Sequence, residues 1–173
     1  NEGYMNTGNQ RSSSTQIGAA TTTTPVGKLS KGKPTGQKNM TMIMLMHKPV
    51  YMATATLSHM EDFVKKLQKA KAAAEEGFVY LHVFCPCPIG WRIDSNKVID
   101  VCRQAVRSNY FPLWEAEYGK PRITVEVANP KPVTEFLKLM RKFSHLKEDG
   151  IAVLQQQVEE RYSLLKTLCD AAK

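Results

Sequence analysis

Long apolar runs are missing from this sequence. The run MTMIMLM at Met40 to Met46 falls far short of the ~20 residues that a membrane-spanning helix needs, and polar and basic residues flank it. A secretory leader is missing too. No basic segment followed by an apolar stretch opens the chain, so the cytoplasm is the expected location. Acidic residues are scarce, 16 against 24 Lys and Arg, which leaves a net charge of +8. That imbalance suits an acidic partner. Nucleic acid is not expected to be that partner. The chain shows no helix-turn-helix pattern, no paired Cys/His zinc spacing and no aromatic ribonucleoprotein strand. There are four cysteines, Cys85, Cys87, Cys102 and Cys169. In a reducing compartment they raise a question of metal binding or packing, not of disulfides.

Large apolar side chains are almost absent between Asn1 and Lys38, where Asn, Gly, Ser, Thr and Lys dominate without a period. A structureless loop of this length is uncommon in a compact domain and is usually functional or disordered. Its lysines, Lys28, Lys31, Lys33 and Lys38, read most simply as a solvated basic loop. They are also the basis of a rival reading, a non-catalytic basic binding module.

Apolar residues make up 42% of the chain, enough to build a core, and they gather beyond Lys38. MTMIMLMHK reads as a short buried helix, although periodicity leaves a strand open. PVYMATAT reads as a strand. Ser58 and Glu61 have the spacing of a capping box. A helix comes next, with Met60, Phe63, Val64, Leu67, Ala70 and Ala74 as its inner face and Gly77 as its stop. FVYLHVF, Phe78 to Phe84, is a continuous β-forming run of the kind found in central parallel strands. A helix from about Asn96 to Ser108 buries Val98, Ile99, Cys102, Ala105 and Val106. YFPLWEAEYGKPRITVEV reads as a hairpin with Tyr118-Gly119-Lys120-Pro121 at the turn. KPVTEFLKLMRKF reads as a short amphipathic helix. A last helix carries Ile151, Leu154, Val158, Tyr162, Leu165 and Cys169 at spacings of three and four. Cys102 and Cys169 therefore belong to packing.

Strands alternating with helices predict an α/β fold with a mostly parallel sheet, plus a C-terminal hairpin and helices. Ligands of such sheets sit beyond the carboxyl ends of the strands. CPCPIGW, directly after the Phe78 strand, lies there. So would the opening NEGYMNTG, if a strand precedes it. That opening offers amide oxygens at Asn1 and Asn6, a hydroxyl at Thr7, and glycines that let a backbone approach a ligand. Such oxygen donors suit Mg²⁺ shared with a substrate's phosphates. On spacing alone an ordinary turn-rich loop explains them equally well, and a lone C-x-C is more often structural than metal-binding.

NEGYMNTGNQRSSST, TTTTPVGK, HKPVYMATA, EDFVKKLQKAK and CPCPIGW, in this order, resemble the β subunit of pyruvate:ferredoxin oxidoreductase and its 2-oxoacid relatives. The resemblance extends through FPLWEAEYGK and KPVTEFLKLMRKFSHL. It implies a thiamine diphosphate-binding fold, with residues 1–109 as the C-terminal portion of the cofactor-binding domain and 110–173 as a hairpin and helical extension. It implies thiamine diphosphate, Mg²⁺ and a [4Fe-4S] cluster as cofactors. By resemblance, Asn1 gives a side-chain oxygen and Gly3 a backbone carbonyl to Mg²⁺. Asn6, the implied catalytic residue, lies by the diphosphate and the substrate, with Thr7 beside it.

Cys87 matches the fourth ligand of the cluster, and Cys85 is an extra thiol two residues away, a competitor for iron or, on the simpler reading, unligated. Gly3 stands where the family has a larger residue, and Ile89 replaces a Thr. The implied reaction is oxidative decarboxylation of a 2-oxoacid, pyruvate first, to acyl-coenzyme A with electrons passed to ferredoxin. 2-Oxoisovalerate or an aryl glyoxylate is the alternative substrate. The implied partners are the other oxidoreductase subunits, ferredoxin, the 2-oxoacid and coenzyme A, with no nucleic acid and no membrane. The glutamate that activates the cofactor comes from another subunit in this family, so Glu2, Glu61 and Glu115 are not given that role. The Gly-Asp-Gly start of the thiamine motif and a Cys-x-x-C pair are expected upstream of Asn1.

Overall fold

The structure is a computed structural model that describes residues 2–4 and 8–173. Its centre is a four-stranded sheet with strand order β2-β1-β3-β4, where β1 is Tyr51–Thr56, β2 Val79–Phe84, β3 Leu113–Glu117 and β4 Lys120–Val125. β1 and β2 run parallel, and β1 with β3 and β3 with β4 run antiparallel. The fold class is α/β as expected, but the sheet is mixed rather than mostly parallel. The Tyr118-Gly119 hairpin feeds its first strand back against β1, and a hairpin pairs antiparallel. Tyr118 and Gly119 both take positive φ, 48° and 79°, as a tight hairpin turn requires.

Helices cover both faces of the sheet. On one lies α2 (Met60–Ala73), where Ala70 packs with Tyr51 and Ala53. On the other lie α1 (Met40–Met46) and α6 (Glu148–Ala171), whose Leu45, Leu165 and Cys169 pack with Met52, Trp114 and Ala116. The largest core sits beyond the carboxyl end of β2. It joins Phe84 to α3 (Pro88–Trp91), α4 (Val98–Arg107) and α5 (Thr134–Leu137). The expected apolar stripe holds on α6 and, on α4, at Cys102, Ala105 and Val106, which are buried, but Ile99 is exposed because it lies off the face that these three turn inward. Among the described residues no helix is long and apolar enough to cross a membrane.

Several local expectations are corrected. Of α1, the expected buried helix, only Leu45 is buried. The Ser58–Glu61 capping box does not form: His59 is the N-cap, and Ser58 Oγ pairs with His59 Nδ1 at 2.9 Å. The expected inner face of α2 is largely outside, since Met60, Val64 and Leu67 are exposed while Lys66 is buried. The reason is the polar surface beneath the helix. Lys66 Nζ donates to Thr54 O (2.9 Å), Asp62 Oδ2 (2.6 Å) and Thr124 Oγ1 (2.7 Å), which satisfies all three of its donors. β2, the expected central strand, is an edge strand of this sheet and only half-buried. The KPVTEFLKLMRKF helix is short and continues as a separate 3-10 turn, Arg141–Phe143, although its Val133, Phe136, Leu137 and Met140 are buried.

The long opening segment is packed irregular chain. Isolated bridges Tyr4–Gln10, Thr21–Thr24 and Val26–Lys31 order it, and Ser14, Thr15, Gln16 and Ala19 are buried. Two of its stretches lie side by side through Gly18 N–H to Lys33 O (2.8 Å) and Lys33 N–H to Ala19 O (3.1 Å). Lys33 is no part of a solvated loop. It is buried, and its ammonium donates to Thr35 O and Gly36 O. Burial, with Arg11 nearby, lowers its pKa.

Candidate functional site

The site begins where β2 ends. Leaving Phe84, the chain passes Cys85 and Pro86 to reach Cys87, which caps the short helix α3. Its Sγ accepts from the Gly90 N–H at 3.3 Å, and its carbonyl accepts from the Trp91 N–H at 3.0 Å. Pro88 opens the turn, where its missing N–H costs nothing. Arg92, in the left-handed conformation, closes it. Cys87 is half-buried and Cys85 is exposed.

A cleft of about 350 Å³ borders this turn, lined by Gly3, Glu2, His82, Cys85, Cys87 and Trp91 among others. Gly3 and Cys87, two of the metal ligands expected from the sequence, therefore face one cavity at the carboxyl end of a strand. Asn1, Asn6 and Thr7, the other candidates, lie outside the described residues. A second tie joins the two segments: Asn9 Nδ2 donates to Gly90 O at 2.7 Å.

The most developed feature of the site is a polar network that sequence reasoning missed. Both Glu2 carboxylate oxygens are engaged. One accepts from Tyr110 OH (2.9 Å) and Gln37 Nε2 (3.0 Å), and the other from Gln16 Nε2. The Glu2 carbonyl accepts from Thr15 Oγ1 at 2.6 Å. Each glutamine hands its oxygen to a cation. Gln16 Oε1 accepts from Lys142 Nζ (3.0 Å), and Gln37 Oε1 accepts from Arg161 Nη1 (2.6 Å). Gln16 is fully used, because its amide nitrogen also reaches Tyr110 OH. Tyr110 is buried and stacks on Phe136 with centroids 4.4 Å apart, and burial raises its pKa well above the usual value.

Lys142 is buried with its ammonium 3.5 Å from the centroid of the Trp91 ring, at the distance of a cation–π contact. Burial pulls its pKa down to about 7, while Glu2 and Cys87 favour the charged form. His82, on β2, holds Tyr80 OH at 2.8 Å from Nδ1, and burial lowers its pKa to about 4. Nothing in a linear sequence marks these groups. A lone Gln, Lys or His carries no spacing signal, and the partners of Gln16 and Lys142 lie far along the chain.

The described residues fit part of a cofactor site. A half-buried thiol that accepts a backbone N–H and faces an open cleft suits one thiolate ligand of an iron–sulfur cluster. Among the described residues no group of three or more His, Cys, Asp or Glu is gathered for a metal ion, so further ligands would have to come from outside them.

Comparison with known proteins decides the family. The chain is 45% identical over 173 residues to the β subunit of an NADH-dependent phenylglyoxylate dehydrogenase from Aromatoleum evansii, covering 99% of this chain and 39% of that protein. It is 45% identical to pyruvate synthase subunit PorB of Methanocaldococcus jannaschii, covering 95% of this chain and 55% of the relative. It is 44% identical to ketoisovalerate oxidoreductase subunit VorB of Pyrococcus abyssi, covering 98% and 55%. The chain belongs to the 2-oxoacid:ferredoxin oxidoreductase β-subunit family. It spans about half the length, or less, of the curated relatives it matches. A comparison with protein-family models returned no match.

Proposed function

We propose that the chain is part of the β subunit of a 2-oxoacid:ferredoxin oxidoreductase that takes pyruvate first. In this reading the 2-oxoacid is oxidatively decarboxylated, coenzyme A takes the acyl group, and the electrons leave singly for ferredoxin. The observation that carries the reading is the meeting of Gly3 and Cys87 on one cleft, in a chain whose relatives are named as subunits of such enzymes. Residues 1–109 carry the cofactor-facing part, and 110–173 are the extension that adds β3 and β4 to the sheet. The enzyme so read works in the cytoplasm.

When bound, thiamine diphosphate supplies the electron sink for decarboxylation and the cluster a one-electron carrier. The chain's own residues bind and orient. In this reading Asn1 and the Gly3 carbonyl would hold Mg²⁺, and Asn6 and Thr7 would serve the diphosphate and the substrate. Cys87 would give one thiolate to the cluster. The Gly90 N–H bond to its Sγ fixes the direction of the sulfur at the head of the turn. The exposed Lys28, Lys31 and Lys38, without the buried Lys33, would offer a steering surface to an acidic electron carrier.

The test is the full-length chain assembled with its partner subunits. Pyruvate, 2-oxoisovalerate and phenylglyoxylate are offered separately with coenzyme A and either ferredoxin or NAD⁺. Thiamine-dependent ferredoxin reduction is expected, fastest with pyruvate. Preference for another oxoacid would reassign the substrate. No thiamine-dependent turnover with any of the three would end the reading.

A further inference from the structure

We infer that Glu2 is a positioning residue, and that Lys142 couples the segment it anchors to the Cys87 turn. The inference rests on the proposed function for its link to thiamine, but its geometry stands independently. Glu2 directly precedes Gly3. Its carboxylate is gripped by Gln16, Tyr110 and Gln37, and its carbonyl by Thr15. Four side chains hold one residue of a Gly-rich loop that would otherwise be free to move. The purpose that fits is to hold Gly3 at the cleft with its carbonyl in a fixed direction, because backbone ligation tolerates little misplacement.

The anchor does not end at Glu2. Gln16 passes it to Lys142, and Lys142 rests on Trp91, four residues beyond Cys87 in the chain and bonded to its carbonyl. The chain of contact is Glu2, Gln16, Lys142, Trp91, Cys87. Its amide bridge explains why the two charges are not paired directly. The glutamine presents its nitrogen to the carboxylate and its oxygen to the ammonium, so both are satisfied across a gap that neither spans alone. Asn9 to Gly90 makes a second tie between the same two segments. The loop expected to hold magnesium and the turn expected to hold iron are thus braced against each other by one buried lysine.

The test uses Glu2→Gln and Lys142→Met in the assembled complex, with Lys66→Met as a buried lysine outside the network. Outer groups that orient ligands typically cost about 10- to 100-fold in affinity when altered. Both network variants should therefore weaken thiamine diphosphate–Mg²⁺ binding, read by calorimetry, by at least about 10-fold. Lys66→Met should leave that affinity in place even if its melting temperature falls as far. Before cofactor is added, amide exchange at residues 2–4 and 89–91 should quicken together in Lys142→Met and stay slow in Lys66→Met. Exchange at the two segments that changes separately, or not at all, removes the coupling. Unchanged cofactor affinity in Glu2→Gln removes the positioning role. If the parent complex binds no thiamine diphosphate, the proposed function and the positioning role toward that cofactor fall together, while the exchange experiment still decides the coupling.

Discussion

Lys66 and Asp62 form a buried ion pair, Nζ to Oδ2 at 2.6 Å, between α2 and the sheet. Burial lowers the pKa of Lys66, and Asp62 works against that shift. Removing one member of a buried pair leaves the other's charge uncompensated, whereas an apolar replacement of similar volume is tolerated better. Asp62→Ala should destabilise the fold by ~3 kcal/mol, and Lys66→Met by less, because Asp62 retains some contact with solvent. Denaturant titration of both variants checks the order. The reverse order would mean that the lysine's bonds to Thr54 and Thr124 outweigh the charge.

His82 makes stability depend on pH. Its folded pKa, about 4, lies below the ordinary 6.5 because burial disfavours the cation. The unfolded chain therefore binds the proton first. The contribution of neutral His82 is complete above pH 6.5 and is lost as pH falls towards 4. The groups around it are Tyr80 OH on Nδ1 and the Phe111 ring, with Glu2 and Arg161 lining the same small cavity. The full effect is ~3 kcal/mol at most. Unfolding free energies of the parent and His82→Gln, measured from pH 7 to 4, should converge as pH falls, with the parent losing more. Parallel curves would show that His82 titrates normally.

Cys87 and Cys85 are internal controls for each other. Both line the cleft, but Cys87 is half-buried and accepts the Gly90 N–H, while Cys85 is exposed. In the full-length complex, Cys87→Ala should lose about one cluster's share of iron, or the reduced cluster's paramagnetic signal, and ferredoxin reduction should collapse. Cys85→Ala should retain both. If the pattern inverts, the ligand is Cys85.

Gly32 packs its backbone directly against the Gly18–Ala19 stretch of the opening segment. Its φ is +90°, and a Cβ there would sit 2.5 Å from Gly18 O and 2.9 Å from Ala19 O. Neither backbone oxygen can withdraw without disturbing the bonds between Gly18, Ala19 and Lys33. Gly32→Ala should cost ~3 kcal/mol from steric strain and the unfavourable φ together. A thermal melt within a degree of the parent would show that the segment yields at little cost.

Elements with a local cause are legible in the linear chain. The stripe of Ile151, Leu154, Val158, Tyr162, Leu165 and Cys169 foretells α6, because spacings of three and four put residues on one helix face. Tyr118-Gly119-Lys120-Pro121 foretells the hairpin, because turn geometry is decided by local residues, although Lys120 and Pro121 already belong to β4. The motifs from NEGYMNTG to CPCPIGW foretell the family. Three other features are set by the folded arrangement alone: which face of α2 turns inward, the edge position of β2, and the burial of Lys33, Lys66 and Lys142. A lysine is ordinarily solvated, and its burial depends on whether acceptors meet its ammonium in space. For Lys142 the acceptor is Gln16, brought from the opposite end of the chain, and no local pattern of residues encodes that meeting.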